Sequence, residues 1–235
     1  MPMTQAMLET AARHPERPAI VGDRESLTYR ELLADSARLF AVVDGLHRAQ
    51  QHPPTPASET CGIPIAAISA ESAYEVARFV AGLAGFRAVS ATIDPRWPLE
   101  HRVDVIVTTG IGVVVTDTDD LAPALTARGW TGTVIGLADF SRRIDALAAD
   151  ADPSLERPAV RDGDEAFLML FSSGTTSNPK AFLKTRGQYR ANAAVSTAHL
   201  EPFPGVATLA PGPVSYSLTL YAVVECMVTG GSVHV

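Results

Sequence analysis

The densest chemistry in the chain lies in residues 166–181, AFLMLFSSGTTSNPKA. An apolar run, Ala166–Phe171, stops abruptly at Ser172, Ser173, Gly174, Thr175 and Thr176, and Ser177, Asn178, Pro179 and Lys180 follow. Such a run can cradle a phosphate. Its hydroxyls donate to phosphate oxygens, Gly174 gives the backbone access to positive φ so that amides converge, and Lys180 adds a compact positive charge. The order GxxxxGK[ST] is absent, so this is not a Walker A loop. The same composition also suits an ordinary Ser/Thr-rich turn at a strand end, and on the residues alone both readings stand.

Other reactive side chains are scattered. His14, His47, His52, His101, His199 and His234 show neither HxH nor HExxH spacing, which fits surface and core positions better than a zinc site. Asp117, Asp119 and Asp120 read as a solvated turn, because no second group of ligands accompanies them. Arg142 and Arg143 read as an exposed helix face, and Trp97, between Pro95 and Pro98, as a packing plug. Cys61 and Cys226 lie far apart without CxxC spacing. Neither a disulfide framework nor a zinc ribbon is encoded, and a reducing cytoplasm is the expected compartment.

A phosphate loop needs a scaffold, and the periodicities supply one. Thr28-Tyr-Arg-Glu31 is a capping box. It opens a helix whose Leu32, Leu39, Val43 and Leu46 share a face, with Gly45 and the Pro-rich stretch 50–59 expected to end it. Strands are predicted at 62–69, 88–93, 112–116, 133–137 and 166–171. They alternate with helices near 76–86, 99–107, 121–128 and 140–149, and 150–164 reads as a polar connector. This alternation predicts an α/β fold with a mainly parallel sheet flanked by helices. Ala166–Phe171 is expected as a central strand and Ser172–Lys180 as the loop at its carboxyl end.

Composition sets outer bounds. The chain has 235 residues, 46% of them apolar and 19% charged, an ordinary globular balance. Lys plus Arg number 19 against 26 Asp plus Glu, a net charge of −7. That acidic balance, without a basic stripe, argues against nucleic acid as a partner. The first residues, MPMTQAMLETAARHPERP, lack the basic-then-apolar order of a secretory signal. No apolar stretch reaches the roughly 18 residues of a membrane span.

Four segments in order resemble the adenylate-forming superfamily of acyl-CoA synthetases, luciferases and peptide-synthetase adenylation domains. SSGTTSNPK (172–180) is similar to its phosphate-binding signature, [ST]SGTTGxPKG. Residues 27–33, LTYRELL, resemble its early TYxEL helix start. Residues 81–98, AGLAGFRAVSATIDPRWP, resemble a helix and strand ending in DPxxP. Residues 209–235 resemble its acyl-binding strand–helix–strand. The resemblance implies an ATP-dependent half-reaction giving an acyl-adenylate and pyrophosphate, then transfer of the acyl group to a thiol, usually that of coenzyme A. It assigns Ser172, Ser173, Gly174, Thr175, Thr176 and Lys180 to the nucleotide phosphates, and Thr176 to the neighbourhood of Mg²⁺. Ser177 and Ala181 stand where the family usually has glycine; a Cβ at a position needing positive φ costs about 1 kcal/mol.

Residues 213–221, PVSYSLTLY, fall where peptide-synthetase domains place an aspartate against the substrate's α-ammonium. No carboxylate occurs before Glu225, and an unpaired buried ammonium is costly. The expected substrate is therefore an apolar acid, a fatty acid first, with an amino or aryl acid as the alternative. Tyr216 takes the place of a gating histidine, and Tyr216, Ser217 and Leu218 are assigned to acyl binding. Val214, Tyr216, Leu218 and Leu220 are expected to line an apolar tunnel. The resemblance also places the adenine and ribose contacts, a hinge and a mobile domain with a catalytic lysine beyond these residues. The chain is thus expected to be an incomplete amino-terminal part of such a ligase or a non-catalytic remnant of one, inactive alone.

Overall fold

The computed structural model describes residues 3–147, 154–172 and 180–235. Helix α1 (Met3–Arg13) precedes a short antiparallel pair, β1 (Pro18–Val21) and β2 (Ser26–Thr28), which leads into α2 (Tyr29–Arg48). The capping box forms as read. The Thr28 hydroxyl accepts from the Glu31 amide at 3.3 Å, and the Glu31 carboxylate accepts from the Thr28 amide at 2.8 Å. Such a cap is worth about 1 kcal/mol. Gly45 does not end α2. It lies on an exposed position inside the helix, which runs on to Arg48; burial of Leu39, Val43 and Leu46 outweighs the roughly 1 kcal/mol penalty of an interior glycine.

The larger sheet contains β3 (Ile65–Ser69), β4 (Val89–Thr92), β5 (Val113–Thr116), β6 (Thr133–Gly136), β7 (Ala166–Ser172) and β8 (Lys180–Thr185). Their order is β6-β5-β3-β4-β7-β8, and every pairing is parallel except β7 with β8. Helices α3 (Ala73–Leu83), α4 (Leu99–Thr109), α5 (Leu121–Ala127) and α6 (Leu137–Asp145) fall between these strands in sequence. Ala66 and Ile68 of β3 join a core with α2 and α3, whereas Ile65 and Ala67 join a second core with α4 and α5. Strands buried on both faces read as continuous apolar runs, which is what the sequence shows.

Two expectations are corrected. Ala166–Phe171 is not central: β7 lies one strand from the edge, because β8 folds back antiparallel beside it. Ser172 and Lys180 are also not loop residues. They face each other on the last rung of that pair, and 173–179 lie outside the described residues.

A smaller sheet has the order β2-β1-β10-β9, with β9 (Ala207–Leu209) and β10 (Ser232–His234). Helix α7 (Arg186–Leu200) follows β8 through a second capping box, Thr185 with Gln188, and α8 (Ser217–Thr229) joins β9 to β10. The strand–helix–strand implied for 209–235 is therefore present. The Tyr29 hydroxyl donates to the Gly231 carbonyl at 2.8 Å, tying α2 to the smaller sheet.

Candidate functional site

Strand order places the crevice. From β3 the chain moves to β4 on one side, then crosses back to β5 on the other. The first crossover helix, α3, packs into one core and the second, α4, into the other. Connections leaving on opposite faces open a gap beyond the carboxyl ends of the two strands, the position where open α/β sheets take ligands. A cleft of about 410 Å³ lies there, its walls including Ala70, Glu71, Asp94, Arg96, Pro213 and Val214.

Three segments far apart in sequence converge on it. The Thr92 hydroxyl donates to the Ser215 carbonyl at 3.1 Å, joining the end of β4 to the approach to α8. Asp94, 2% exposed, accepts from the Arg96 amide and Nε at 2.9 Å each and from its Nη2 at 2.8 Å. Burial pushes the Asp94 carboxyl up, but these bonds and the neighbouring Tyr216 hold it below its ordinary range. The Tyr216 phenol is in turn held protonated above its ordinary value, chiefly by the Asp94 carboxylate beside it. The Trp97 ring meets Phe171 edge-on, centroids 5.9 Å apart. Phe171 is the residue before Ser172, so the β4 exit braces the end of β7.

The residues assigned from sequence distribute as follows. Ser172 ends β7, and its hydroxyl accepts from the Lys180 amide at 3.4 Å. Lys180 opens β8 with an exposed side chain at the same end of the sheet as the cleft. Ser173, Gly174, Thr175, Thr176 and Ser177 lie outside the described residues. Tyr216 is the N-cap residue of α8 and Ser217 its first residue. Leu218 is 84% exposed, whereas Val214 and Leu220 are buried in the core shared with α3. The four residues expected to line a tunnel therefore do not share one face. Because α8 starts at Ser217, positions 218 and 220 point about 200° apart around a helix.

The acidic cluster is structural. Asp120 pairs with the buried Arg102 at 2.5 Å, and Asp117 accepts from the Glu71 amide at 2.8 Å. Arg142 and Arg143 lie on an exposed helix face, Arg142 paired with Asp139. Among the described residues no group of three or more His, Cys, Asp or Glu could hold a metal ion, and no helix is long and apolar enough to cross a membrane. Sequence reasoning missed Glu71 and the pairing of Asp94 with Tyr216. The DPxxP and PVSYS segments were each visible, but nothing local indicated that they meet.

The model of the AMP-binding enzyme family matches residues 7–235. The chain belongs to that family. Its members are adenylate-forming enzymes, and the nucleotide they use is ATP. Surfactin synthase subunit 1 of Bacillus subtilis is 26% identical over 182 residues, which cover 76% of this chain and 4% of that protein. The uncharacterized acyl-CoA ligase YhfT of Bacillus subtilis is 25% identical over 240 residues, covering 99% of this chain and 44% of YhfT. The structure of VinN with L-aspartate superposes with a TM-score of 0.82 at 18% identity, covering 100% of this chain and 62% of VinN. The fold is shared throughout the described chain, and the chain spans less than two thirds of each of these relatives.

Proposed function

We propose that the chain is the amino-terminal part of an ATP-dependent acid–thiol ligase that activates an apolar carboxylic acid, a fatty acid first, and passes it to coenzyme A. The acid's carboxylate attacks the α-phosphorus of ATP, an acyl–phosphate bond forms, and the bond to the pyrophosphate oxygen breaks. The residues near 172–180 act on the leaving group: the Ser and Thr hydroxyls and Lys180 hold the β- and γ-phosphates as their charge grows. Thr176 and the phosphates offer the hard oxygen donors that Mg²⁺ requires, and the ion would neutralise phosphate charge there. Residues completing the adenine, ribose and hinge regions would come from further chain.

The observation that carries the apolar reading is the start of α8. The segment 213–221 contributes Pro213, Val214 and Ser215 to the cleft wall and contains no carboxylate. Asp94 cannot serve in its place, since its oxygens are committed to Arg96. A buried methylene is worth about 0.8 kcal/mol, so a chain of several gains more than a single pocket contact discriminates. One observation favours an amino acid instead: Glu71 lies on the cleft wall and could face an ammonium. Acid-dependent exchange of labelled pyrophosphate into ATP by the full-length protein separates the two. Fastest exchange with medium or long fatty acids supports the proposal. Fastest exchange with an amino acid overturns the fatty-acid assignment and moves attention to Glu71→Gln, which would then lose that exchange.

A further inference from the structure

At the far end of β7 from the cleft, arginines gather with too little negative charge. Arg186, the first residue of α7, is 8% exposed. Its Nη1 donates to the Ala84 carbonyl and its Nη2 to the Phe86 carbonyl at 2.8 Å. Its Nε is buried without a hydrogen-bond partner. The carboxylate it pairs with, Glu165, stands 3.6 Å away and is already engaged by Arg161 through Nε at 2.6 Å and Nη2 at 2.8 Å. One carboxylate therefore serves two guanidiniums, with Arg87 also in its field and Glu156 in that of Arg161. Arg190 lies one turn further along α7 on the same side. Like charges at i and i+4 repel, and Arg190 has no ion-pair partner among the described residues.

A small, partly open pocket of about 20 Å³ is lined by Arg161, Arg186 and the exposed Arg190 together with Met3, Thr4 and Phe167. That is room for one water-sized particle. The Thr4 hydroxyl is spent on the Ala84 carbonyl at 3.1 Å, and the face of Phe167 lies under the Arg186 guanidinium at 5.4 Å, so neither offers the counter-charge. Burial lowers Arg186 to about 10, with Glu165 opposing and Arg161 reinforcing the shift, as expected for a cation whose compensation is incomplete.

We infer that this cavity is a halide site, binding one chloride-sized monovalent anion between Arg161, Arg186 and Arg190. The site is independent of the adenylate chemistry. It fastens α7 to α1 and to the turn after α3, and it makes the stability of the chain depend on chloride itself rather than on ionic strength.

The test is thermal unfolding of the 235-residue chain while chloride replaces gluconate at fixed ionic strength. For a dissociation constant near 50 mM, raising chloride to about 0.5 M lifts the midpoint by roughly 3–6 °C. Glu165→Gln removes the competing carboxylate and enlarges the chloride-dependent rise, whatever it does to the midpoint in gluconate. Arg190→Gln at the cavity wall shrinks the rise. Crystals grown in bromide show an anomalous peak within hydrogen-bonding distance of Arg186 Nε. A midpoint indifferent to chloride, an equal rise in wild type and Glu165→Gln, or an ordered water without anomalous signal would each overturn the proposal.

Discussion

Helix α3 supplies Ala73 and Val76 to the cleft wall, and a buried ion pair fixes it to α2. Asp35 is 2% exposed, and its Oδ2 and Oδ1 accept from Arg78 Nε at 2.8 Å and Nη2 at 2.7 Å. Arg78 also meets Glu75 at 3.1 Å, and Asp35 meets Arg38 at 3.4 Å. Asp35→Ala removes the carboxylate and leaves a buried guanidinium with Glu75 alone. Breaking a buried pair from one side costs about 3–5 kcal/mol, and the surviving Glu75 contact places this case at the lower end. For a chain of this size a loss of about 3 kcal/mol lowers the midpoint by roughly 6–12 °C. Replacing both partners with apolar residues of similar volume, Asp35→Leu with Arg78→Met, recovers most of that loss, because neither charge is then stranded. The assay is a double-mutant cycle by urea unfolding over Asp35→Leu, Arg78→Met and their combination, with Asp35→Ala measured beside it. A cost below about 1 kcal/mol for Asp35→Ala, or additive single and double variants, would refute the reasoning that this pair anchors α3.

Three further outcomes follow from particular contacts. His47 is held near pKa 4 by burial, with Asp44 opposing the shift. Its folded value is depressed below the ordinary 6.5, so the unfolded chain binds more protons between pH 6.5 and 4. Its contribution is thus complete above 6.5 and lost as pH falls, on the order of 2–3 kcal/mol, and His47→Gln should flatten that part of a stability–pH profile measured by urea unfolding. Gly110 has φ +69°, and a Cβ there would sit 1.9 Å from the Thr55 carbonyl oxygen, whereas Gly129 has φ +70° with open space around it. Gly129→Ala should cost about 1–2 kcal/mol from backbone strain alone, and Gly110→Ala clearly more, read as the difference in denaturation midpoints. Lys180→Ala should weaken Mg·ATP binding at least about tenfold, followed by saturation-transfer NMR with Mg·ATP, and an unchanged signal would remove Lys180 from the phosphate site.

The alternation of strands and helices between residues 62 and 137 was legible because each parallel strand is an apolar run between amphipathic helices. The Thr28 capping box was legible because both of its partners are local. What escaped was non-local or short. β9 and β10 have three residues each and carry no period of their own; the resemblance implied the strand–helix–strand over 209–235, but not that β10 pairs with β1. β8, with its exposed and half-buried KAFLKT pattern, carries no strong period. Its position beside β7 made that strand penultimate where a central one had been expected. At the site, the residue types around 172–180 fit a phosphate loop and a Ser/Thr-rich turn alike, and the proposed phosphate role rests on the resemblance. The pairing of Asp94 with Arg96 and Tyr216 is a product of strand order, and only the fold reveals it.

The most direct measurement of the central claim is isotope transfer. The full-length protein containing this chain is given a fatty acid labelled with oxygen-18 in its carboxylate, together with Mg·ATP and coenzyme A, and the products are read by mass spectrometry. Attack on the α-phosphorus places one carboxylate oxygen in AMP and none in pyrophosphate. Label in inorganic phosphate, with ADP as the nucleotide product, would mean attack at the γ-phosphorus and would contradict the account.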